Sequence, residues 1–268
     1  MIGASGFGGT FTDATTKDAF LGGALHILQP SDGYRAGLDA ILLAAALRAN
    51  RGERVLDAGA GVGVVGLAVA RRERDVEVTL VERDPGLAAL ARCNVAGNGL
   101  EARVRVVIAD VTRPLREMPE LSGLVESFDH LLSNPPYHVQ GRGTPAGEPL
   151  KDAANAMPAG GLERWIRFAA AMLRPGGTIT LIHRPDALQG LLGALASRFG
   201  AIVLLPIHPR GGEPASRVLV RGVKGSRAAL ELRPGLVLHN ADHSFRPEIE
   251  AILRHGAGLD IRNLPAEP

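Results

Sequence analysis

Apolar positions in this 268-residue chain fall into short runs that alternate with longer helical patterns. The runs are rich in β-branched and aliphatic residues, which predicts strands at 54–58, 76–81, 104–108, 128–133, 178–182, 201–205 and 217–223. Helical patterns predict helices at 38–49, 64–72, 162–173 and 186–199, and a further helix that Asp84 caps, with Pro85 at its first position, and that ends at Asn98-Gly99. Strands separated by helical crossovers form a doubly wound, mostly parallel α/β sheet.

The last two predicted strands are connected differently from the others. Only residues 206–216 lie between them, which is too short for a helical crossover. We therefore predict that the last of the seven strands runs antiparallel. Ligands of such sheets bind at the carboxyl ends of the parallel strands.

Two segments lie outside this alternation. We assign residues 1–50 to an N-terminal extension with one helix and residues 51–268 to the main domain. Within that domain, residues 138–160 contain four Gly and three Pro without periodicity and predict a long loop. Loops of this length are usually functional or disordered.

Composition is that of a globular protein, with 46% hydrophobic and 22% charged residues. There is no apolar stretch of membrane-spanning length and no secretory signal pattern at the start, so the expected location is the cytoplasm. The single cysteine, Cys93, excludes an intrachain disulfide framework and a cysteine-cluster metal site. Its helical context predicts a buried structural thiol.

Arginine accounts for 27 of the 30 basic residues, although the net charge is only +2. Residues 210–233 carry several of them, including Arg210, Arg217 and Arg221. Guanidinium groups bind phosphate bidentately, so this segment predicts an RNA-binding surface. A solvated basic face is the alternative interpretation.

A glycine-rich loop follows the first strand of the main domain. Asp57 ends that strand, and Gly59, Gly61 and Gly63 lead into the next helix. This pattern indicates a nucleotide-like cofactor, because glycines let the backbone approach a ligand closely. The spacing differs from the dinucleotide pattern, and the Asp57 carboxylate would repel a pyrophosphate, which argues against an NAD-dependent oxidoreductase. A cofactor with a cationic, amino-acid-like end fits better.

Two further carboxylates end the next two strands. Glu82 follows Gly61 by 21 residues, which suits an acid that accepts both hydroxyls of a ribose. Asp110 ends the third strand, where it can meet an adenine edge. Each alone could be a helix cap or a surface charge, but three acids at successive strand ends favour a binding site.

The residues after the fourth strand are Asn134-Pro135-Pro136-Tyr137. The prolines fix their own φ angles and keep Asn134 out of the helical region, so the Asn side chain is held rigidly at a strand end. A plain proline-rich turn is the alternative interpretation. The arrangement suits a site that grips an amino group.

Together these motifs resemble those of class I S-adenosylmethionine-dependent methyltransferases that modify planar amino groups. Residues 29–39, which include Gly33-Tyr34-Arg35-Ala36-Gly37-Leu38-Asp39, and residues 236–240 are further similar to the bacterial tRNA1(Val) adenine-37 N6-methyltransferase family. The resemblance implies a Rossmann-like sheet of seven strands, S-adenosyl-L-methionine as cofactor, and an RNA substrate, most specifically tRNA. No metal is expected.

The resemblance also implies residue roles. Gly59, Gly61 and Gly63 would border the methionine portion of the cofactor, Glu82 its ribose and Asp110 its adenine, while Tyr34, Arg35 and Asp39 would cover the pocket from the N-terminal side. The Asn134 side chain and the Pro135 carbonyl would accept hydrogen bonds from an adenine amino group, and Tyr137 would stack on the base.

Three other functions share these motifs. The same Asn-Pro-Pro-Tyr sequence is used by enzymes that methylate a glutamine of release factors. Those enzymes usually also have a sizeable N-terminal helical domain, which the short N-terminal extension predicted here does not match. Methylation of ribosomal RNA, on adenine N6 or guanine N2, is a second alternative. The third is a non-catalytic RNA-binding scaffold, against which the intact glycine and carboxylate pattern argues.

Overall fold

The structure, a computed structural model, describes residues 15–32, 35–136, 138–139, 156–157 and 160–263. Its strands are, in chain order, β1 (Thr15–Phe20), β2 (Leu25–Pro30), β3 (Arg54–Ala58), β4 (Glu77–Glu82), β5 (Val104–Ile108), β6 (Phe128–Ser133), β7 (His138–Val139), β8 (Ala156–Met157), β9 (Leu173–His183), β10 (Phe199–His208), β11 (Arg217–Lys224), β12 (Glu231–Leu232) and β13 (Leu236–Val237). Its α-helices are α1 (Leu38–Ala45), α2 (Val64–Arg72), α3 (Pro85–Gly97), α4 (Pro119–Ser122), α5 (Gly161–Met172), α6 (Leu188–Leu195) and α7 (Pro247–His255).

The central sheet has the long strands in the order β10-β11-β9-β6-β3-β4-β5. β11 runs antiparallel to both of its neighbours, and the other pairs among the strands β3, β4, β5, β6 and β9 are parallel. The predicted seven-stranded, mostly parallel sheet with an antiparallel last strand is therefore confirmed. The two-residue strands β12 and β13 extend it beyond β10.

The central strands of the sheet are buried on both faces, because helices pack on either side of them. Consecutive strand residues point to opposite faces, so Val55 packs in the layer that contains α1, α2 and α3, and Leu56 in the layer that contains α5 and α6. The strand order reverses between β3 and β6, which places a crevice at their carboxyl ends.

Several element bounds differ from the predicted ones. The helix predicted at 38–49 ends at Ala45. The helix predicted at 186–199 is instead a 3-10 turn at Pro185–Ala187 followed by α6, because Phe199 already pairs with Lys224 in the sheet. The sheet pairing also lengthens β10 at both ends relative to the predicted 201–205.

The N-terminal hairpin of β1 and β2 was not predicted, and it is attached to the main domain through α3. The Asn94 side chain accepts from Leu28 N at 2.7 Å and donates to Leu28 O at 3.0 Å. Asn98 makes the equivalent pair with the backbone of His26, at 3.0 and 2.7 Å. The side chains of two asparagines one helical turn apart thus hydrogen-bond the backbone along the edge of β2 that does not pair with β1.

Cys93 and the predicted loop 138–160 are the remaining features of the sequence to compare with the fold. Cys93 is exposed on α3, so the expectation of a buried thiol is wrong: the helix turns its small and apolar side chains inward and Cys93 falls on the opposite face. Of the predicted loop 138–160, most residues lie outside the described ranges, apart from the short parallel pair β7–β8 and Gly160.

None of the helices in the described ranges combines the length and apolar composition of a membrane span.

Candidate active site

The glycine-rich loop after β3 has a backbone that favours glycine at three positions. Gly59, Gly61 and Gly63 have φ angles of 74°, 56° and 91°, in the region that L side chains rarely adopt. The loop is tied to β4, because the backbone N–H groups of Gly59 and Ala60 both donate to Val81 O, at 2.8 and 3.0 Å. A Cβ on Gly59 would lie 2.7 Å from the ring of Trp165, so the side chain is excluded by contact as well as by conformation.

Glu82 ends β4 and holds the glycine loop. It is 7% exposed, and its Oε2 accepts from Gly61 N at 2.8 Å while its Oε1 accepts from Asp84 N at 2.8 Å. Asp84 in turn caps α3 by accepting from Leu87 N at 2.8 Å, as the sequence predicted. The carboxylate of Glu82 is therefore fixed by main-chain donors on both sides while it still lines the crevice.

Asp57, which the sequence predicts to belong to the cofactor site with Glu82 and Asp110, lies beneath the glycine loop. Its carboxylate is fully buried under the loop, where Oδ2 accepts from Gly66 N at 2.9 Å near the start of α2. Burial raises its pKa from 3.8 to about 7, the hydrogen bond from Gly66 opposes this, and the charge of Glu82 adds to it. Asp57 does not line the crevice, so the structure shows it as a support for the loop and the helix start.

Asp110 lies at the other end of the crevice. Its Oδ1 accepts from Thr112 N at 2.9 Å and from the Thr112 hydroxyl at 2.6 Å, which closes a tight turn after β5. Ala109 N donates to Glu82 O at 3.0 Å and joins this turn to the end of β4. The second oxygen of Asp110 has no such local donor among the hydrogen bonds of the described residues, and the residue lines the crevice.

Asn134, Pro135 and Pro136 follow β6 on the opposite wall. The strand end is anchored by the fully buried Ser133, whose hydroxyl donates to Ala58 O at 2.6 Å and accepts from Trp165 Nε1 at 3.0 Å. Trp165 thus connects α5 to the end of β6 and also contacts Gly59. Asn134 is half-buried and lines the crevice together with both prolines.

Sequence reasoning missed Trp165. Two features of the sequence could have indicated it: Trp165 is the single tryptophan of the chain, and it lies on the apolar face of an amphipathic helix. Gly66 was also missed: a Cβ there would collide with Leu80, and its N–H is the donor to Asp57.

These elements surround one continuous cavity of about 120 Å³. Backbone atoms of the glycine loop form one end, and the polar residues that line it are Glu82, Arg83, Asp110 and Asn134. Apolar side chains complete the walls, namely Val81, Leu87, Ala109, Val111, Pro135, Pro136 and Trp165. A cavity of this kind, mostly apolar with a few convergent polar groups, is typical of cofactor sites.

Three other predicted cofactor residues, Gly63, Arg35 and Asp39, do not line this cavity. Arg35 is bound by the N-terminal hairpin, with Nη2 donating to Asp18 Oδ2 at 2.6 Å and Nη1 donating to Thr16 Oγ1 at 2.7 Å. Asp39 accepts from Arg217 Nε at 2.7 Å, across 178 residues of sequence. Tyr34 and Tyr137 lie outside the described residues.

The three predicted RNA-binding arginines occupy different environments. Arg210 donates to Glu213 Oε1 at 3.0 Å and to the Nδ1 atom of His243. Arg217 is paired with Asp39, and Arg221 lines a separate, second cavity. They do not form one exposed stripe, and their role in RNA binding stays a prediction.

The fold and this crevice define the class I methyltransferase architecture. The sequence model of the methyltransferase small domain family matches residues 37–204, and the chain belongs to that family. It is accordingly an enzyme that transfers methyl groups, with S-adenosyl-L-methionine as the donor.

Individual relatives agree with this assignment. A tRNA1(Val) (adenine(37)-N6)-methyltransferase from Aeromonas hydrophila is 30% identical over 227 residues, covering 82% of this chain and 89% of that protein. A protein of the same name from Pasteurella multocida is 27% identical over 225 residues, covering 83% and 90%. The crystal structure of a predicted O-methyltransferase from Agrobacterium tumefaciens is 37% identical with a TM-score of 0.71, and covers 83% of this chain and 98% of that one.

The residues of the cavity fit S-adenosyl-L-methionine. Gly59 and Gly61 line the cavity without side chains, so a ligand can approach their backbone closely, and Glu82 presents a fixed carboxylate suited to a ribose diol. The apolar walls formed by Leu87 and Val111 suit a flat aromatic ring, with Asp110 at its polar edge.

Proposed function

We propose that this enzyme methylates the exocyclic N6 nitrogen of an adenine in tRNA, namely adenine 37 of the anticodon loop. The observation that carries the proposal is Asn134-Pro135-Pro136, which lines the same cavity as Glu82 and Asp110. The name shared by the Aeromonas and Pasteurella relatives, each matched over most of its length, supports the choice of acceptor. A tRNA substrate also implies a cytoplasmic location.

The acceptor nitrogen of adenine is a weak nucleophile because its lone pair is delocalised into the ring. The side-chain oxygen of Asn134 and the carbonyl of Pro135 would accept hydrogen bonds from the two amino hydrogens and favour a pyramidal nitrogen as positive charge develops. The donor, when bound, supplies an activated methyl group on its sulfonium. No strong base is required of the protein, since the product proton can leave to solvent.

The rigidity of this corner follows from the contacts around it. Pro135 is buried, and Ser133 just before Asn134 is held between Ala58 and Trp165. A carbonyl that is already oriented loses little freedom when it accepts a hydrogen bond, so the stabilisation is largely retained in the transition state. Tyr137, for which a stacking role on the base is proposed, adjoins this corner in the sequence.

An oxygen acceptor, as in an O-methyltransferase of the kind named for the Agrobacterium protein, places a different demand on the site. A hydroxyl group must lose its proton as it attacks, which calls for a general base within hydrogen-bond reach. The polar group at this wall of the cavity is an amide, Asn134, which is suited to accept from an amino group and is not a base. We therefore favour a nitrogen acceptor.

The test is to identify the methylated product. The protein is incubated with isotopically labelled donor and, separately, with unmodified tRNA, ribosomal RNA and release factor, and each is digested and analysed by mass spectrometry. We expect label in tRNA as N6-methyladenosine at position 37. Label in ribosomal RNA, in a release-factor glutamine or on an oxygen atom would overturn the proposed acceptor.

Calorimetric titration with the donor is the control in the same preparation. Donor binding without transfer to any of the three acceptors contradicts the proposed acceptor while it leaves the cofactor site intact. Absence of donor binding contradicts the site itself and favours the non-catalytic scaffold.

A further inference from the structure

A second cavity, of about 200 Å³, opens on the face of the sheet that α1 covers. Its strand residues include His130 on β6, Thr180 on β9 and Arg221 on β11, and Arg221 is paired in register with Thr180. His130 precedes Asn134 by four residues, which at about 3.3 Å per residue separates the two by roughly 13 Å along β6. The cavity is therefore distinct from the cofactor crevice.

The charge around this second cavity is strongly positive. Three arginines line it, Arg48, Arg221 and Arg262, against the single lining carboxylate of Asp260. That carboxylate is already engaged, since it pairs with Arg48 at 3.4 Å and accepts from the backbone N–H of Arg262 at 3.0 Å. Among the described lining residues, three guanidinium groups therefore share one carboxylate, which leaves an excess of positive charge at the cavity.

Arg221 is the most informative of these side chains. Its Nη1 atom is buried and makes no hydrogen bond in the part of the chain that the structure describes. Burial lowers the pKa of Arg221 below its ordinary value, the charge of Arg262 lowers it further, and the charge of Asp260 opposes both. A buried guanidinium nitrogen without a partner is costly, and a bound anion is one way to satisfy such an atom.

Neutral donors lie beside it. The Thr180 residue is 2% exposed and lines the cavity, as does Thr178, whose hydroxyl is bound to His130 Nδ1 at 2.7 Å. The opposite nitrogen of His130 is bound to Glu53 Oε2 at 2.8 Å, so that acid is directed to the histidine and not to Arg221. Guanidinium and hydroxyl donors around one pocket match the acceptor geometry of a tetrahedral oxyanion.

We propose that this cavity is a phosphate-binding site in which Arg221 and Arg262 are the principal ligands. A phosphate group would supply the missing partner of the buried Arg221 nitrogen, and the cavity has room for it with several waters, since one water occupies about 30 Å³ of liquid. An apolar ligand would leave the guanidinium groups unpaired. The residues of this cavity are remote from the methyl-transfer site, so phosphate binding there does not depend on which acceptor is methylated.

Thermal unfolding tests the site directly. The wild-type melting temperature is measured in a titration with inorganic phosphate, with chloride as the comparison at equal ionic strength. We expect a saturable rise in phosphate only, because a ligand that binds the folded state stabilises it. In Arg221→Met the apparent phosphate affinity falls at least about tenfold, the effect of removing one charged hydrogen-bonding partner.

Two further variants keep the test decisive. Arg262→Gln changes an exposed side chain, so it is expected to fold normally and to weaken phosphate binding even if Arg221→Met does not fold. Arg116→Met removes an arginine whose side chain is 81% exposed and whose neighbour Leu115 packs on the opposite face of the sheet, and it should keep the full phosphate response. Equal responses to phosphate and chloride, or an undiminished response in both cavity variants, would overturn the proposal.

A second arm identifies the source of the phosphate. Binding of tRNA is measured by fluorescence anisotropy over a range of salt concentrations for wild type and Arg262→Gln. If the RNA backbone supplies the phosphate, the variant binds tRNA more weakly and with a shallower salt dependence. If tRNA binding is unchanged while the response to inorganic phosphate is lost, the ligand is a free phosphate or a small phosphate ester.

Discussion

The two halves of the carboxyl edge of the sheet are held by different kinds of hydrogen bond. In the cofactor half, formed by the glycine loop and the ends of β4 and β5, Glu82 is fixed by the backbone N–H groups of Gly61 and Asp84. In the outer half, formed by β9, the start of β11 and the start of α1, Asp39 and Arg217 bind each other through their side chains. The first arrangement uses main-chain donors, which nearly every residue type carries, whereas the second requires two particular residues.

The difference has consequences for stability and for function. In the cofactor half, the hydrogen bond from Gly61 N–H is buried, so removing its acceptor leaves an unsatisfied group that costs about 1–3 kcal/mol, whereas the hydrogen bond from Asp84 N–H is only partly buried. The Asp39–Arg217 pair is partly exposed, with side-chain exposures of 21% and 32%, and pairs of this kind contribute about 0–1 kcal/mol. We therefore expect the cofactor half to be intolerant of substitution and the outer half to be adjustable.

The largest expected effect concerns Asp57, whose pKa is raised by folding from 3.8 to about 7. The folded protein holds this proton more tightly than the unfolded chain does, so the stability that the group contributes is fully present below about pH 4 and is lost as the pH rises through about 7. The full shift corresponds to a loss on the order of 4 kcal/mol. Asp57→Asn should remove this part of the pH dependence, measured by urea unfolding from pH 4 to pH 8.

Asp75→Asn is the matched control, because Asp75 is an exposed acid that precedes β4. The difference between each variant and wild type isolates one carboxyl group, since the other titrations cancel. If Asp57→Asn and Asp75→Asn show the same pH dependence, the buried carboxyl of Asp57 does not retain its proton as its raised pKa requires.

The next effect is at Asn134, where the two halves meet. Asn134→Ala should lower the rate of methyl transfer about 100- to 1,000-fold, the usual effect of removing one oriented hydrogen-bonding group. Donor affinity, measured by calorimetry, should be unchanged because Glu82 and the glycine loop remain. Asn240→Ala, at an exposed turn, is the control and should retain full activity; wild-type turnover in Asn134→Ala contradicts the proposed role.

A smaller effect is expected for Gly59→Ala. Its φ angle of 74° is strained for alanine, which costs about 1–3 kcal/mol, and the new Cβ would lie 2.7 Å from the Trp165 ring. We expect lower stability, weaker donor binding and a changed tryptophan fluorescence, since Trp165 is the single tryptophan. Gly97→Ala has space around it and no positive φ, so it should be neutral or slightly stabilising; equal behaviour of the two variants would show that the loop is not constrained.

The smallest effect is expected in the outer half. A double-mutant cycle with Asp39→Asn and Arg217→Gln should give a coupling of less than about 1 kcal/mol in unfolding free energy. Donor affinity should not change in either variant, because neither residue lines the cofactor cavity. A coupling several times larger, or a loss of donor binding, would show that the two halves are less distinct than their hydrogen bonds indicate.

Much of the fold was predictable from local pattern. The bounds of β3, β5, β6 and α2 agree with the predicted ones, because each is rich in apolar residues and has Gly, Pro or polar residues close to both ends. The cap at Asp84 and the antiparallel β11 were likewise predictable, one from a local hydrogen-bonding preference and the other from the length of a connection. The N-terminal hairpin was not, since its exposed edge depends on Asn94 and Asn98 of a distant helix.

The candidate site was likewise predictable from the sequence only in part. Spacing after strand ends located Glu82, Asp110 and Asn134, and all three line one cavity with Gly59 and Gly61. The same reasoning could not separate Asp57 from Glu82, because two acids that end adjacent parallel strands have the same local signature. Their environments differ in the backbone N–H groups that they bind and in that Glu82, but not Asp57, lines the cavity.

By itself the sequence determined which segments form strands, the glycine loop and the rigid Asn-Pro-Pro corner. These features follow from side-chain periodicity, from the access of Gly to positive φ angles and from the fixed φ angle of Pro. Tertiary structure decided which carboxylate lies at the cofactor cavity. It also placed Trp165 in contact with both the glycine loop and the end of β6. Among the described residues, it left Arg221 Nη1 buried without a hydrogen-bond partner. Those outcomes depend on distances between residues far apart in the chain, and such distances exist only once the helices have packed on the sheet.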